Sequence, residues 1–118
     1  MFAAYVSGKG HAFIDRALYL PKDWTSKPAR LKSAHVPEEI AFSTKPALAC
    51  TMIERCIDAG VPFRWVAADS VYGVGDVEQM LRKTGTGYVL GVKGNHWFGS
   101  WATKPLIAGE AKDIAQGL

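Results

Sequence analysis

A chain of 118 residues, 48% hydrophobic and 21% charged, has the size of one compact domain and can bury roughly two-thirds of the surface its unfolded form exposes. That apolar content excludes wholesale disorder, and no apolar run approaches the roughly 20 residues of a membrane-spanning helix, since even residues 61–68 are broken by Arg64. Fourteen Lys and Arg against eleven Asp and Glu leave a net charge of +3, compatible with a polyanionic partner but too small to identify one.

The opening Met-Phe-Ala-Ala-Tyr-Val-Ser-Gly has neither a basic leader nor a long apolar core, so the expectation is a soluble cytoplasmic protein. Residues 2–7 are short, apolar and aromatic, and Gly8-Lys9-Gly10 separates them from residues 11–20. Two strands around a three-residue, glycine-flanked turn predict a β-hairpin. Phe13, Ala17 and Tyr19 share one parity and Ile14, Leu18 and Leu20 the other, so the second strand is expected to be covered on both faces. Asp15 and Arg16 interrupt it.

Residues 21–37 hold three prolines with Lys22, Lys27, Arg30 and Lys32, which reads as a long connection with one short helical turn near residues 29–34. Its charges read as a solvated surface. Helix resumes near Pro46, since proline is tolerated at the first helical position, where its missing N–H would be unpaired anyway. Leu48, Met52, Ile53, Cys56 and Ile57 repeat at three and four to make one apolar stripe, and Gly60 stops it. Cys50 and Cys56, six apart, form neither a C-x-x-C pair nor a zinc half-site, and read as buried thiols of a reducing compartment.

Residues 63–68 read as a strand ending at Asp69. Asp76, with Gln79 three residues on, reads as the cap of a helix that buries Val77, Met80 and Leu81 and is closed by Gly85 and Gly87. Residues 87–92 (Gly-Tyr-Val-Leu-Gly-Val) form a further strand. Strand, ten-residue helix and strand make a βαβ unit, whose strands should be parallel with a right-handed crossover. The tail from Lys93 is irregular and aromatic and ends in a weak helix from about Glu110; Trp97 and Trp101 read as core or subunit contacts.

In an open α/β sheet, sites form beyond the carboxyl ends of parallel strands. Asp69 lies beyond the first such strand, and Lys93, Asn95 and His96 lie beyond the second. An aspartate there serves either as a turn former or as a catalytic group. Gly73-Val74-Gly75 before a helix can cradle a phosphate, but the third glycine of a dinucleotide fingerprint is missing and Asp76 would repel an anion. His11, His35 and His96 lack ligand-like spacing.

Several phrases, in register, resemble the bacterial insertion-sequence transposases of the DDE superfamily. They are Ile14-Asp15-Arg16-Ala17-Leu18-Tyr19-Leu20-Pro21 with Trp24, then Phe42-Ser43-Thr44-Lys45-Pro46, then Trp65-Val66-Ala67-Ala68-Asp69-Ser70-Val71-Tyr72-Gly73, then Gly87-Tyr88-Val89-Leu90-Gly91-Val92. The third phrase is similar to the family's second-aspartate motif. The resemblance implies an α/β, RNase H-like fold in which three carboxylates hold two divalent ions, Mg²⁺ or Mn²⁺, for phosphodiester cleavage and strand transfer on DNA. It also implies departures from that fold. The family's first aspartate lies on a strand before the hairpin, and its last acid lies on a helix well downstream.

The chain 1–118 is therefore expected to be a single domain, a central fragment of such a catalytic core. Its fold should be an incomplete RNase H-like one, a β-hairpin followed by α-β-α-β in a mixed sheet. Asp69 is the catalytic, metal-binding acid; Asp15, Glu110 and Asp113 do not map onto the other two. Lys93, Asn95 and His96 are candidate DNA contacts, and Tyr72 packs beside the site. The partners implied are transposon-end and target DNA, no membrane, and a second copy of the chain to cover strand edges left without a neighbour. With one acid of three, the chain alone should be inactive. Two alternatives stay open: a non-catalytic truncated remnant, and a small nucleotide- or nucleic-acid-binding α/β module using Gly73-Val74-Gly75.

Overall fold

The computed structural model describes residues 1–100 and 107–118, which divide into two compact units, Met1–Arg64 and Trp65–Leu118. Trp101 lies outside the described residues. The fold is mixed α/β, and the strands among the described residues form three two-stranded sheets.

The first unit opens with β1 (Phe2–Ser7) and β2 (Gly10–Arg16), an antiparallel hairpin. Ser7 pairs directly with Gly10, so the connection is the two residues Gly8-Lys9 and not three; Gly10, at φ 138°, takes a backbone position that disfavours a side chain. Ala3 pairs with Asp15 and Ala4 with Phe13, which leaves Ile14 as an extra residue on β2. The strand is shorter than residues 11–20, ending at Arg16, so Ala17, Leu18, Tyr19 and Leu20 lie beyond it and only Phe13 and the bulged Ile14 of the two apolar sets fall in β2. The expectation that β2 is covered on both faces is not met. Phe2, Val6 and Phe13 stand on one face, Phe13 77% exposed, with the Phe2 and Phe13 rings 5.1 Å apart. Two strands give this face no third strand or helical layer of its own. On the other face the Tyr5 hydroxyl donates to the Pro62 carbonyl, and Arg55 donates to Asp15 Oδ2 from both Nε and its terminal nitrogen at 2.9 Å.

Residues 21–37 contain two short helices, α1 (Lys22–Thr25) and α2 (Pro28–Ser33), where the sequence predicts one turn. Pro28 opens α2, and His35 closes it at φ 54°. The His35 N–H bonds the Lys32 carbonyl and the Val36 N–H bonds the Leu31 carbonyl, the paired bonds of a left-handed helix stop that glycine normally makes. Helix α3 (Lys45–Asp58) starts where Pro46 indicates; the Thr44 hydroxyl accepts from the Ala47 N–H at 3.2 Å, and the chain leaves at Gly60, φ 71°. Met52 is buried as the stripe requires. Cys50 and Cys56 are half-buried and not bonded to each other; burial, then the charge of Asp15, pushes the Cys56 thiol up, against the lowering effect of Arg55.

In the second unit β3 (Trp65–Ala68) and β4 (Gly87–Leu90) are parallel and joined through α4 (Gly75–Lys83), the βαβ unit the sequence predicts. Val77 and Leu81, the latter with no exposed surface, form its core. The helix is capped at Val74, so Asp76 is not the cap but sits with Glu78 in the first turn, where carboxylates oppose the helix dipole favourably. Gly85, φ 67°, ends α4 as Gly60 ends α3. Trp65 pairs with Gly87, and its ring lies so close that a Cβ there would come within 2.7 Å of it. Tyr88 ties β4 to α4, its hydroxyl donating to Glu78 and accepting from Arg82, each at 3.0 Å.

The described residues of the tail carry more regular structure than the sequence predicts. β5 (Trp97–Gly99) and β6 (Ala108–Glu110) pair antiparallel, and α5 (Ala111–Gln116) follows, at the position of the predicted weak helix. Trp97 is exposed and so is not core. The one mixed sheet expected from the sequence is absent among the described residues. The antiparallel hairpin and the parallel pair are each a two-stranded ladder of their own unit.

Candidate active site

The β3–β4 ladder continues one bond past the strands, the Gly91 N–H donating to the Ala68 carbonyl at 2.8 Å. Asp69 and Gly91 therefore leave the sheet at the same end. Asp69 turns the chain there: its Oδ1 accepts from the Val71 N–H at 2.9 Å and its carbonyl accepts from the Tyr72 N–H at 3.1 Å. This is the turn-forming role open to any aspartate at a strand end. It occupies one carboxylate oxygen. Asp69 is exposed, and its Oδ2 has no protein partner among the described residues.

Two glycines allow the turn to close. A Cβ on Gly91 would stand 2.8 Å from the Ser70 nitrogen, and one on Gly73 would fall onto the Gly91 carbonyl oxygen. Backbone thus packs on backbone across the two strand ends, and the Asp69 carboxylate rests on a rigid base. Tyr72 is half-buried beside it; burial first and the Asp69 charge second push its phenol above the ordinary range, so it stays protonated. The sequence marks Gly73 only as a weak phosphate cradle and passes over Gly91. The signal available was a glycine at each end of the strand in Gly-Tyr-Val-Leu-Gly, a sign of close backbone approach.

Lys93, Asn95 and His96 follow Gly91 in a tight turn, with the His96 N–H donating to the Lys93 carbonyl at 2.9 Å. Lys93 and Asn95 are exposed; His96 is half-buried with its ring 4.9 Å from Phe98. The start of α5 fastens this turn, through Ala111 N–H to the His96 carbonyl and Lys112 N–H to the Gly94 carbonyl. The chain thus brings Asp69 and the Lys93–Asn95–His96 turn to one end of the parallel pair. Asp15 is held by Arg55 in the other unit.

Among the described residues no three His, Cys, Asp or Glu side chains gather closely enough to hold a metal ion. A divalent ion such as Mg²⁺ takes six oxygen ligands and a two-ion centre shares several carboxylates; Asp69 can supply one of them, and among the described residues no further carboxylates gather with it to complete such a centre. The first turn of α4 presents Asp76 and Glu78, which disfavour a phosphate at Gly73-Val74-Gly75. No helix among the described residues is long and apolar enough to cross a membrane.

The parallel β3–α4–β4 unit, with the exposed Asp69 just past the end of its first strand, places the chain among mixed α/β proteins. The family model of the DDE superfamily endonuclease matches residues 1–108, and the chain belongs to that family. No curated protein and no solved structure matches it.

Proposed function

We propose that this chain is part of an RNase H-like DDE transposase catalytic core, in which Asp69 is one of the carboxylates that hold divalent ions at the DNA phosphodiester. The observation that carries the reading is Asp69 itself, seated on a glycine-packed turn at the end of a parallel strand, with Oδ1 committed to the turn and Oδ2 open. Family membership supplies the chemistry of such an acid: endonuclease action on DNA. The remaining acids come from sequence outside residues 1–118. Lys93, Asn95 and His96, at the same strand end, contact the DNA backbone beside the reacting phosphate. Lys93 does so as a point charge and Asn95 as a neutral hydrogen-bonding group. Without the other acids the chain alone does not cleave DNA.

The test is paramagnetic broadening of amide resonances by Mn²⁺. Signals of residues 69–72 should broaden at lower Mn²⁺ than those of other exposed carboxylates, and Asp69→Asn should abolish the effect. Equal broadening around Asp23 or Asp58, or broadening that survives Asp69→Asn, would remove Asp69 from the metal site. Saturable nucleotide binding untouched by Asp69→Asn would instead favour a nucleotide-binding module.

A further inference from the structure

The outer edge of β1 has nothing to guard it. Among the described residues β1 pairs only with β2. Its sequence, Phe2-Ala3-Ala4-Tyr5-Val6-Ser7, holds neither a charged residue nor a proline, the usual obstacles to pairing with another chain. The hairpin's other edge is obstructed. There β2 carries His11, Asp15 and Arg16 and bulges at Ile14, and Asp15 is bound by Arg55.

The backbone of β1 offers its groups to two sides. Just ahead of the strand, the Ala17 N–H donates to the Met1 carbonyl at 2.9 Å and the Met1 amino group donates to the Ala17 carbonyl at 3.1 Å. Alternation along an antiparallel strand then turns the N–H and C=O of Ala3, Tyr5 and Ser7 toward β2, and those of Phe2, Ala4 and Val6 outward. The extra residue of the bulge lies on β2, so the alternation in β1 is intact. The side chains of Phe2, Ala4 and Val6 share one face and are exposed, while Ala3 and Tyr5 are half-buried.

We propose that this edge of β1 pairs antiparallel with the same edge of a second copy of the chain, about a two-fold axis at Ala4, to make one sheet in the order β2–β1–β1–β2. In that register Ala4 faces the second copy's Ala4, and Phe2 faces the second copy's Val6. Every outward N–H and C=O of β1 then has a partner. Two small side chains meet on the axis, an aromatic meets a β-branched residue on either side of it, and no charges oppose across the join. Phe13, with its ring 5.1 Å from that of Phe2, backs the join on the same face. An edge that complements itself under a two-fold axis closes with one further copy, which argues for a second copy over a strand of unrelated sequence.

The test uses the full chain. Sedimentation velocity under reducing conditions should show a monomer–dimer equilibrium. A4P removes an N–H that points away from β2, so it should abolish the dimer with an unchanged circular dichroism spectrum. Across the axis the two Ala4 Cα atoms would stand about 5.5 Å apart, a span that a disulfide bridges. A4C should therefore oxidise to a covalent dimer much faster than K9C in the hairpin loop. F2C and V6C should each stay monomeric on oxidation and cross-link when mixed. The parent, with Cys50 and Cys56 in place, sets the background. D69N should dimerise as the parent does, so the metal reading and this interface fail separately. The proposal is overturned if the parent stays monomeric at every concentration, or if A4C cross-links no faster than K9C; either result gives the edge to a strand of another sequence. Should A4P fail to fold, the cross-linking decides.

Discussion

At the residue scale, Asp69 combines two roles that its position makes compatible. One oxygen closes a turn, which holds the carboxylate still, and the other remains available to a cation. Its neighbour Tyr72 reports on that charge. Asp69→Asn should bring the Tyr72 phenol down toward its ordinary value, though burial, the larger cause, keeps it raised; ultraviolet difference titration of the tyrosines reads this. The sign for stability follows. A phenol pKa raised by folding contributes stability that is whole below the unfolded value of about 10 and is lost as pH rises through the folded one. The glycines that seat Asp69 give a second prediction. Gly91→Ala and Gly73→Ala drive a methyl into backbone and should cost about 1–3 kcal/mol or more in denaturant unfolding. Gly8→Ala, with nothing within 4 Å, should be neutral or stabilise by up to ~1 kcal/mol.

At the element scale, the helix ends were the most legible features, because capping depends on a few consecutive residues. Pro46 and Gly60 mark the ends of α3 and Gly85 that of α4, the two glycines at positive φ, while the Thr44 cap on the Ala47 N–H came only with the structure. Thr44→Ala should cost about 1 kcal/mol, read as a shift in the unfolding midpoint at constant slope. His35 holds a left-handed position in which a Cβ is crowded, so His35→Gly should raise stability by up to about 1 kcal/mol. Less was legible where a side chain's role depends on the exact first residue of a helix. Asp76 has the spacing of a cap, yet the cap falls two residues earlier, at Val74, which turns Asp76 into a first-turn carboxylate. The bulge at Ile14 was equally hidden, since an unpaired residue is defined only by the strand opposite.

At the scale of the whole molecule, the hairpin is the exposed liability. Phe2, Val6 and Phe13 crowd one face of a sheet with two strands and open edges, an arrangement that invites pairing with another chain. Sedimentation velocity should show self-association that rises with concentration and is suppressed by Phe13→Lys. The lysine should cost little stability, because the ring it replaces is already 77% exposed.

The sequence by itself determined the hairpin, the span of α3, the βαβ unit and the place of Asp69 at a strand end, because each rests on periodicity or punctuation within a dozen residues. It also carried the family, through phrases kept in register along the chain. Tertiary structure alone decided that the strands form three ladders, that Phe13 and Trp97 face outward, and that Asp15 is taken by Arg55. It alone decided that Gly73 and Gly91 bring two loops into backbone contact beneath the carboxylate. Those outcomes depend on partners far along the chain, and a side chain's exposure or charge pairing is set by what folding brings beside it.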